Sequence, residues 1–303
     1  MRVLITGATG LIGQAIVNRC HKNGIAVNYL TTKRSKLEQS ENYKGFYWNI
    51  KTQDIDTRCF KGVDAIIHLA GATIAKRWTR AYKKTIVSSR VQSTQLLINA
   101  LKGESHTIKQ VVSASAIGIY PDSLINYYDE KFTGVGATFL SEVTKTWERA
   151  VDNFSSLNIP VSKIRIGLVL SNKGGALPEI VKPMRYWMGA SFGSGKHWQS
   201  WIHIKDLARM FLFVLEYQLF GVYNGVAPNP VTNHEFTKTV ARVLRKPLIL
   251  PSIPKSVMKF ILGEMYVLLF LSQRVSSKRI EDKGFYFKYH HLKPALEHLL
   301  KKV

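Results

Sequence analysis

Gly7-Ala8-Thr9-Gly10-Leu11-Ile12-Gly13 stands between a short apolar stretch, residues 2–6, and a stretch with helical apolar spacing, residues 11–22. A strand, a glycine-rich turn and a helix in this order form the loop that holds the pyrophosphate of a dinucleotide. Gly7 makes the tight turn, Gly10 lets the backbone approach the phosphates, and Gly13 lets helix and strand pack closely. The unpaired amides at the helix start attract the phosphates. We therefore predict cofactor contacts from Gly7, Thr9, Gly10, Leu11, Ile12 and Gly13.

The alternation of strand and helix patterns continues after this loop. Short apolar stretches predict strands at residues 2–6, 26–31, 45–48, 64–69, 109–114 and 161–166. Apolar residues at helical spacing predict helices at residues 11–22, 82–101 and 139–157. Such alternation forms a parallel sheet with helices on both faces. The expected fold class is therefore α/β, with a Rossmann-like doubly wound parallel sheet.

The pattern changes near residue 170. Glycine-rich stretches predict loops at residues 172–176 and 189–195, and five prolines divide the remainder: Pro228, Pro230, Pro247, Pro251 and Pro254. This material favours a lid over the strand ends rather than a second doubly wound domain. We predict a dinucleotide-binding domain at residues 1–170, to which later segments return, and a smaller α+β lobe at residues 171–303.

The end of the second strand indicates which dinucleotide is bound. An acidic residue there would bond a ribose hydroxyl, whereas cations would neutralise a 2′-phosphate. The chain has Thr32, Lys33 and Arg34 at this point and no carboxylate. NADP is therefore favoured over NAD. Which cation binds the phosphate stays open, because a solvent-facing position is an equal alternative for Lys33 and Arg34. After the fourth strand, the small residues of Leu69-Ala70-Gly71 let the backbone pass close to the adenosine side of the cofactor, while His68 is expected to be a packed histidine.

Composition narrows the class of protein and its partners. The chain has 43 Lys and Arg against 20 Asp and Glu, a net charge of +23. Such a balance attracts phosphates and acidic partners, but no nucleic-acid-binding motif accompanies it. The two cysteines, Cys20 and Cys59, have neither disulfide nor zinc spacing, and we expect no metal site. A strand at residues 2–6 leaves no room for a leader peptide, so we expect a cytoplasmic protein.

The longest apolar run covers residues 257–271 and contains Lys259 and Glu264. It falls short of the roughly 20 residues needed to cross a bilayer. We therefore expect no transmembrane segment and predict a buried or amphipathic helix. Contact of this helix with a membrane surface or with a partner stays open.

Further motifs resemble the extended and atypical short-chain dehydrogenase/reductases, and in particular the branch called epimerase family proteins, whose substrate is unknown. They are the segments at residues 71–78, 89–91, 111–115, 174–177, 193–195, 201–206, 227–233 and 273–275. The resemblance covers essentially the whole chain. It implies an NADP-binding fold, with Arg90 and Gly167 among the cofactor contacts, and a C-terminal domain of unknown function at about residues 250–298. It also implies that a homodimer is possible, and it links some relatives to cell division.

The resemblance also defines where catalytic groups would stand. In the wider superfamily, a Tyr and a Lys four residues later on one helix move a proton, and a Ser on the preceding strand polarises the substrate oxygen. Ser115 occupies the place of that Ser, but Leu140 and Thr144 occupy the Tyr and Lys positions. Lys145 is one residue out of step. Tyr120 is the remaining candidate for the acid, with a packing role as its alternative. Tyr127 and Lys131 have the spacing of the usual Tyr/Lys pair, but they lie before the helix that should carry it.

Other polar groups suit a small anionic substrate. Four cations belong to segments expected to converge on the strand ends, where each either binds the substrate or has a structural role such as capping: Arg77, Arg90, Arg165 and Lys196. The tryptophans Trp78, Trp198 and Trp201 are expected either to wall a pocket there or to lie in the core. His203 and Asp206 are predicted to start a helix.

Two functions follow from these patterns. The first is an NADP-dependent oxidoreductase or epimerase that acts on a small anionic carbonyl or hydroxyl compound, with Ser115 polarising the substrate. The second is a catalytically silent cofactor sensor or scaffold, and it is suggested by the missing Tyr/Lys pair and by the high positive charge.

Overall fold

A computed structural model describes residues 1–301 of the chain. Its main feature is a mostly parallel sheet formed by strands within the first 225 residues. The strands are β1 (Arg2–Thr6), β2 (Ala26–Thr31), β3 (Gln39–Ser40), β4 (Tyr43–Asn49), β5 (Asp54–Ile55), β6 (Ala65–His68), β7 (Gln110–Ala116), β8 (Tyr127–Tyr128), β9 (Val161–Ile166), β10 (Leu168–Leu170), β11 (Trp198–Gln199), β12 (Trp201–His203), β13 (Gly221–Gly225), β14 (Val231–Thr232) and β15 (Arg274–Val275). The helices are α1 (Leu11–Lys22), α2 (Arg80–Lys102), α3 (Phe139–Asp152), α4 (Ala176–Arg185), α5 (Ile204–Glu216), α6 (Asn233–Leu244), α7 (Lys255–Leu262), α8 (Val267–Phe270), α9 (Lys278–Glu281) and α10 (Leu292–Leu300).

The main sheet has the order β13-β9-β7-β6-β1-β2-β4-β3, and β5 pairs with β4. Its pairs are parallel, except that β3 and β5 run antiparallel to β4. Thr6 at the end of β1 is in register with Leu30 of β2 and His68 of β6. The direction of winding reverses between β1 and β6, which is where open α/β sheets bind ligands.

Both faces of this sheet are buried. Helices α1 and α5 pack together, as do α2 and α3. The strands consequently carry almost continuous apolar residues, such as Val3, Leu4 and Ile5, none of which is exposed. This architecture confirms the expected Rossmann-like doubly wound fold.

A second apolar core lies in the later part of the chain. It joins residues of α4, α6 and α10 around Trp201, beside the two-stranded sheets β10-β12 and β11-β14. Helix α5 and strand β13 return to the main sheet. The boundary near residue 170 stays a prediction, and the last two residues of the predicted lobe, 302 and 303, lie outside the described residues.

The predicted helix at residues 257–271 is wrong in its continuity. Gly263 has a φ of +58°, a conformation in which a helix cannot continue, so helix α7 ends at Leu262 and a 3₁₀ turn and α8 follow. Similarly, the helix predicted at residues 139–157 is α-helical only to Asp152. No helix within residues 1–301 has the length and apolarity that crossing a bilayer requires.

Candidate functional site: an open glycine loop beside a closed polar network

The glycine loop after β1 has the tight geometry that its sequence predicts. Gly7 has a φ of +71°, a left-handed conformation that favours glycine. A Cβ atom on Gly13 would lie 2.2 Å from the carbonyl oxygen of Gly7, so no larger residue fits there. The loop therefore brings the start of α1 directly against the end of β1.

The first turn of α1 leaves its hydrogen-bond donors open. Gly10 is the N-cap and supplies no side-chain cap, and the first turn contains no acidic residue. Within residues 1–301, the amides of Leu11, Ile12 and Gly13 donate no hydrogen bond. Unpaired amides at a helix start attract phosphate. The glycine loop and the first turn of α1, residues 7–13, therefore fit the pyrophosphate of a dinucleotide, and we call them the cofactor cradle. Thr9 lies in the same turn, and its carbonyl accepts a hydrogen bond from the side chain of Gln14.

The end of β2 presents exposed cations. Thr32, Lys33 and Arg34 are all exposed, and the Arg34 guanidinium lies 4.2 Å from the centre of the Tyr47 ring. No carboxylate of the described residues pairs with Lys33 or Arg34. The residues present therefore suit a 2′-phosphate, and the geometry leaves open which of the two cations binds it.

The end of β6 is held close to the glycine loop. The Thr6 hydroxyl accepts hydrogen bonds from the amides of Leu69 and Ala70, and it lies 2.8 Å from Nδ1 of His68. Burial lowers the pKa of His68 to about 4, so this histidine is neutral and has the packing role expected of it. The peptide that leads to Gly71 thus passes beside the cofactor cradle.

Arg90 of α2 lies over Gly71. A Cβ atom on Gly71 would approach the guanidinium carbon to 3.1 Å. The Arg90 side chain donates to the carbonyls of Ala72 and Ile86, and within residues 1–301 no carboxylate pairs with it. Burial lowers its pKa to about 10, and the guanidinium still carries its charge at neutral pH. It is therefore an unneutralised cation beside the cradle.

Ser115 at the end of β7 does not face an open cleft. Its hydroxyl donates to Glu148 of α3 at 2.6 Å, and its side chain is only 3% exposed. Arg165 of β9 donates two hydrogen bonds to the same carboxylate, at 2.8 and 2.9 Å. This geometry does not support the expectation that Ser115 polarises a substrate oxygen, because the Ser115 hydroxyl is already bonded inside the protein.

The ion pair at the centre of this network is nearly buried. Burial raises the pKa of Glu148, but the hydrogen bonds and charge of Arg165 outweigh it and hold the pKa below its ordinary value. Burial likewise lowers the pKa of Arg165, and Glu148 more than offsets that effect. Both groups are charged, so Arg165 is neutralised inside the protein, and its contacts favour the structural role over substrate binding.

Tyr120 belongs to the same network. Its hydroxyl accepts a hydrogen bond from Arg165 at 3.0 Å and donates to the Asn224 side chain at 2.8 Å, and its ring stacks on Tyr128. Burial raises the pKa of Tyr120, whereas a catalytic tyrosine needs a lowered one. Its contacts favour the packing role over that of an acid.

Apolar residues fill the region of the usual Tyr. Leu140, at the Tyr position, packs in a cluster with Phe139, Met265 and Leu268. The Thr144 hydroxyl, at the Lys position, donates to the Leu140 carbonyl. The later segment at residues 263–270 thus shares an apolar cluster with the start of α3, and Glu264 of that segment forms an ion pair with Lys83 of α2.

The remaining predicted residues have varied surroundings. Gly167 faces the backbone of Ser200, since a Cβ atom on it would lie 2.3 Å from the Ser200 carbonyl oxygen; strand packing therefore accounts for this glycine. Arg77 and Lys196 are exposed, as is Tyr127, and no contact brings Tyr127 and Lys131 together as a pair. Lys145 is half-buried on α3.

The three tryptophans differ in their surroundings. Trp78 and Trp201 are buried, and their indole N–H groups donate to the carbonyls of Ile74 and Asn229. Trp198 is half-buried and stacks on a cation. Only Trp198 of the three therefore combines a partly open ring with a charged neighbour.

The helix start predicted around His203 is present. His203 is the N-cap of α5, and Asp206 lies in the first turn. The Asp206 carboxylate also accepts hydrogen bonds from the amides of Lys288 and Tyr289. Both residues therefore have structural roles.

Sequence reasoning missed Arg274 as a site residue. Its guanidinium lies 4.4 Å from the Trp198 ring centre and 5.0 Å from that of Tyr127. Its Nε is buried and has no hydrogen-bond partner, and within residues 1–301 no carboxylate pairs with it. His197 and Gln199, which flank Trp198 along the chain, also have buried atoms without hydrogen-bond partners. The one sequence signal that pointed to Arg274 was its place in the family motif at residues 273–275.

Loop residues 174 and 175 were likewise missed as neighbours of the cradle. Cβ atoms on Gly174 and Gly175 would lie 3.7 and 3.3 Å from the Leu11 side chain. The start of α4 is thereby held beside the start of α1.

Comparison with known proteins agrees with this geometry. Residues 3–224 match the NAD dependent epimerase/dehydratase family, and residues 253–299 match a domain of unknown function, DUF1731. An epimerase family protein of Staphylococcus aureus strain MRSA252 is 38% identical over 300 residues, which cover 99% of each chain. A Staphylococcus haemolyticus epimerase family protein is 38% identical over 302 residues, 98% of each chain.

A solved structure is similar over the entire chain. The human epimerase family protein SDR39U1 (isoform 2), solved with NADPH, superposes with a TM-score of 0.87 at 29% identity and covers 100% of both chains. These matches confirm the resemblance seen in the sequence motifs. The chain therefore belongs to the NAD dependent epimerase/dehydratase family, as an NAD(P)-binding epimerase family protein with a C-terminal domain of unknown function.

Proposed function

We propose that this chain binds NADP(H) and transfers hydride to or from a small anionic carbonyl or hydroxyl compound. The observation that carries the proposal is the row of unpaired donors along one sheet edge. The amides of Leu11, Ile12 and Gly13 suit the pyrophosphate, and Lys33 and Arg34 suit a 2′-phosphate. The human relative was solved with NADPH, which supports NADP over NAD.

Two further cations support an anionic substrate. Arg90 and Arg274 have no carboxylate partner within residues 1–301, although each is at least partly withdrawn from water. An unpaired cation in such surroundings favours an incoming anion. Arg274 is also fixed between two aromatic rings, so its planar donors are preorganised. We assign it to the charged end of the substrate.

The chemistry depends on the cofactor for its hydride and on water for its proton. When bound, NADPH supplies a hydride to a carbonyl carbon. The carbonyl oxygen then gains a proton, which neither Leu140 nor Thr144 can provide. Ser115 and Tyr120 are committed to Glu148 and Asn224. Protonation by solvent is therefore part of the proposal, and we expect no rate dependence on the ionisation of a tyrosine.

A panel of matched compounds tests this function. We would mix the protein and NADPH with small aldehydes and ketones, each carrying a carboxylate or phosphate, and with their neutral analogues, and follow absorbance of the reduced nicotinamide. We expect charged members alone to be reduced. Arg274→Gln should raise KM about tenfold or more with little change in kcat, and Gly10→Asp should abolish the reaction. No absorbance change with any member, despite saturable NADPH binding, would overturn the proposal.

The apolar surroundings of Leu140 favour a second candidate, a catalytically silent cofactor sensor or scaffold. Met265 and Leu268 pack against the same apolar cluster as Leu140, and this shared cluster would relay cofactor occupancy to the later lobe. The test is a pull-down with the wild-type chain and Gly10→Asp, with and without NADP(H). Identical partners in all four samples would exclude the sensing version.

The setting we propose is the cytoplasm. Cys20 and Cys59 are both buried and unpaired, which suits a reducing compartment. We also retain the homodimer that the family resemblance implies, and sedimentation of the purified chain would test it.

A further inference from the structure

Two segments of the chain combine high positive charge with exposed apolar side chains. Residues 180–196 and 236–263 contain no Asp or Glu. They contain nine cations, which are Lys182, Arg185, Lys196, Lys238, Arg242, Arg245, Lys246, Lys255 and Lys259. Neither the cofactor cradle nor the proposed chemistry uses this charge.

The two segments are neighbours in space. The Gly193 amide donates to the Ile253 carbonyl at 2.9 Å, and the Ile253 amide donates to the Ser191 carbonyl at 2.8 Å. The Lys246 ammonium lies 4.9 Å from the centre of a Trp187 ring. Together they form one surface, which we call the basic apolar face.

Large apolar side chains project from this face. Phe260 is 89% exposed, Ile249 66% and Ile261 58%, and the exposed set also includes Tyr186, Trp187, Met188, Leu250 and Val257. Val257, Phe260 and Ile261 share one side of α7, because their spacing of three and four residues brings them together on a helix. Helix α7 buries none of its eight residues. A patch of this kind on a water-soluble surface indicates an interaction site.

The composition of the face argues against two occupants. A second copy of this chain that met it face to face would bring the same cations together, and the two faces would repel each other. A nucleic acid would meet the cations and stack on the aromatic rings, but it would leave the exposed aliphatic side chains of Val257, Ile261 and Ile249 in water. An occupant must therefore combine negative charge with an apolar layer beneath it.

An anionic lipid bilayer has both properties. Its surface attracts Lys and Arg, and its interface accommodates Trp, Tyr and aliphatic side chains just below the headgroups. Helix α7 is far too short to span a membrane, but an amphipathic helix lies in the interface plane with its apolar side inward.

We propose that the basic apolar face docks this protein on anionic membrane surfaces, with Phe260 and Ile261 inserting below the headgroups. The proposal is independent of hydride transfer. Insertion of the two side chains supplies hydrophobic free energy, and the surrounding cations supply attraction that salt weakens.

Vesicle co-sedimentation tests the proposal with matched variants. The wild-type chain should bind phosphatidylcholine vesicles containing phosphatidylglycerol and bind pure phosphatidylcholine weakly. The double variant Phe260→Ser/Ile261→Ser should bind the anionic vesicles about tenfold less well or worse. Ile125→Ser removes an equally exposed side chain, 87% exposed, elsewhere on the surface and should bind as wild type. Thermal unfolding checks that each variant is folded.

Three results would overturn the proposal. Equal binding of the wild-type chain to both kinds of vesicle would show that anionic lipid is not recognised. Undiminished binding of Phe260→Ser/Ile261→Ser to anionic vesicles would show that charge alone attracts the protein, without insertion. A wild-type chain that ignores vesicles but binds a purified acidic protein through this face would equally replace the membrane with a protein partner.

Discussion

The start of α1 and the end of β7 lie on the same edge of one sheet but use their polar groups in opposite ways. At the start of α1, the amides of Leu11, Ile12 and Gly13 have no acceptor within residues 1–301. At the end of β7, the Ser115 hydroxyl is bonded to Glu148, and Arg165 closes the network around that carboxylate.

This difference separates ligand binding from structural support. Donors left unpaired at a folded edge are stabilised when a ligand supplies the acceptors, whereas a buried network that satisfies itself stabilises the fold. The unpaired amides at the start of α1 can therefore accept an incoming anion, whereas the Ser115 hydroxyl belongs to a buried hydrogen-bond network. The following predictions test this contrast, beginning with the largest expected effect.

Glu148→Gln should destabilise the closed network most. It leaves Arg165 charged, nearly buried and without its partner, and breaking a buried pair in this way costs about 3–5 kcal/mol. Chemical denaturation would measure the loss in the free energy of unfolding. Glu142→Gln changes an exposed residue on the same helix and should cost less than about 1 kcal/mol. A loss below that level for Glu148→Gln would mean that the network is not structural.

Gly13→Val should strongly weaken cofactor binding at the glycine loop. The added side chain overlaps the Gly7 carbonyl, which forces α1 away from β1. We expect NADPH affinity to fall by about 100-fold or more, because the amides at the start of α1 no longer point at the pyrophosphate. Calorimetric titration measures the affinity. Gly103→Ala, at a position where a Cβ atom meets nothing nearer than 3.8 Å, is the control and should bind normally.

Arg34→Glu should alter the choice of cofactor rather than the fold. Replacing an exposed cation with an anion beside a 2′-phosphate should weaken NADPH binding about tenfold. NADH lacks that phosphate and should bind as before. If both cofactors weaken equally, Arg34 does not recognise the phosphate, and the same substitution at Lys33 then identifies the cation that does.

Ser115→Ala should have the smallest effect. It removes one hydrogen bond to a carboxylate that keeps two others from Arg165, so we expect a loss of about 1 kcal/mol in the free energy of unfolding. Any measured turnover should change less than about twofold. A large fall in kcat without a change in KM would restore Ser115 to a catalytic role.

The sequence predicted the fold and the cradle for physical reasons. Buried parallel strands carry runs rich in apolar residues, as in β1, and the strands β1, β2 and β9 have the predicted bounds although β9 also contains Lys163 and Arg165. The Gly7–Gly13 contact leaves no space for any side chain except hydrogen, so its signal is local and strong. Both features depend on residues that are close together along the chain, so the sequence reveals them directly.

The polar contacts were harder to predict because their partners are distant along the chain. Ser115 and Glu148 are 33 residues apart along the chain. Arg274 is likewise distant in sequence from Tyr127 and Trp198, although its guanidinium contacts both rings. Position on a strand predicted that Ser115 lies near the site, but not which carboxylate its hydroxyl meets. The break at Gly263 was missed because a single glycine in an apolar run does not reveal its φ.

Calorimetric titration of the wild-type chain with NADPH and with NADH tests the central claim most directly. The account predicts that NADPH binds at one site per chain and about tenfold or more tighter than NADH, since Lys33 and Arg34 have only the 2′-phosphate to neutralise. Equal affinity for the two, or no binding of either, would contradict the claim that this sheet edge is an open NADP(H) site.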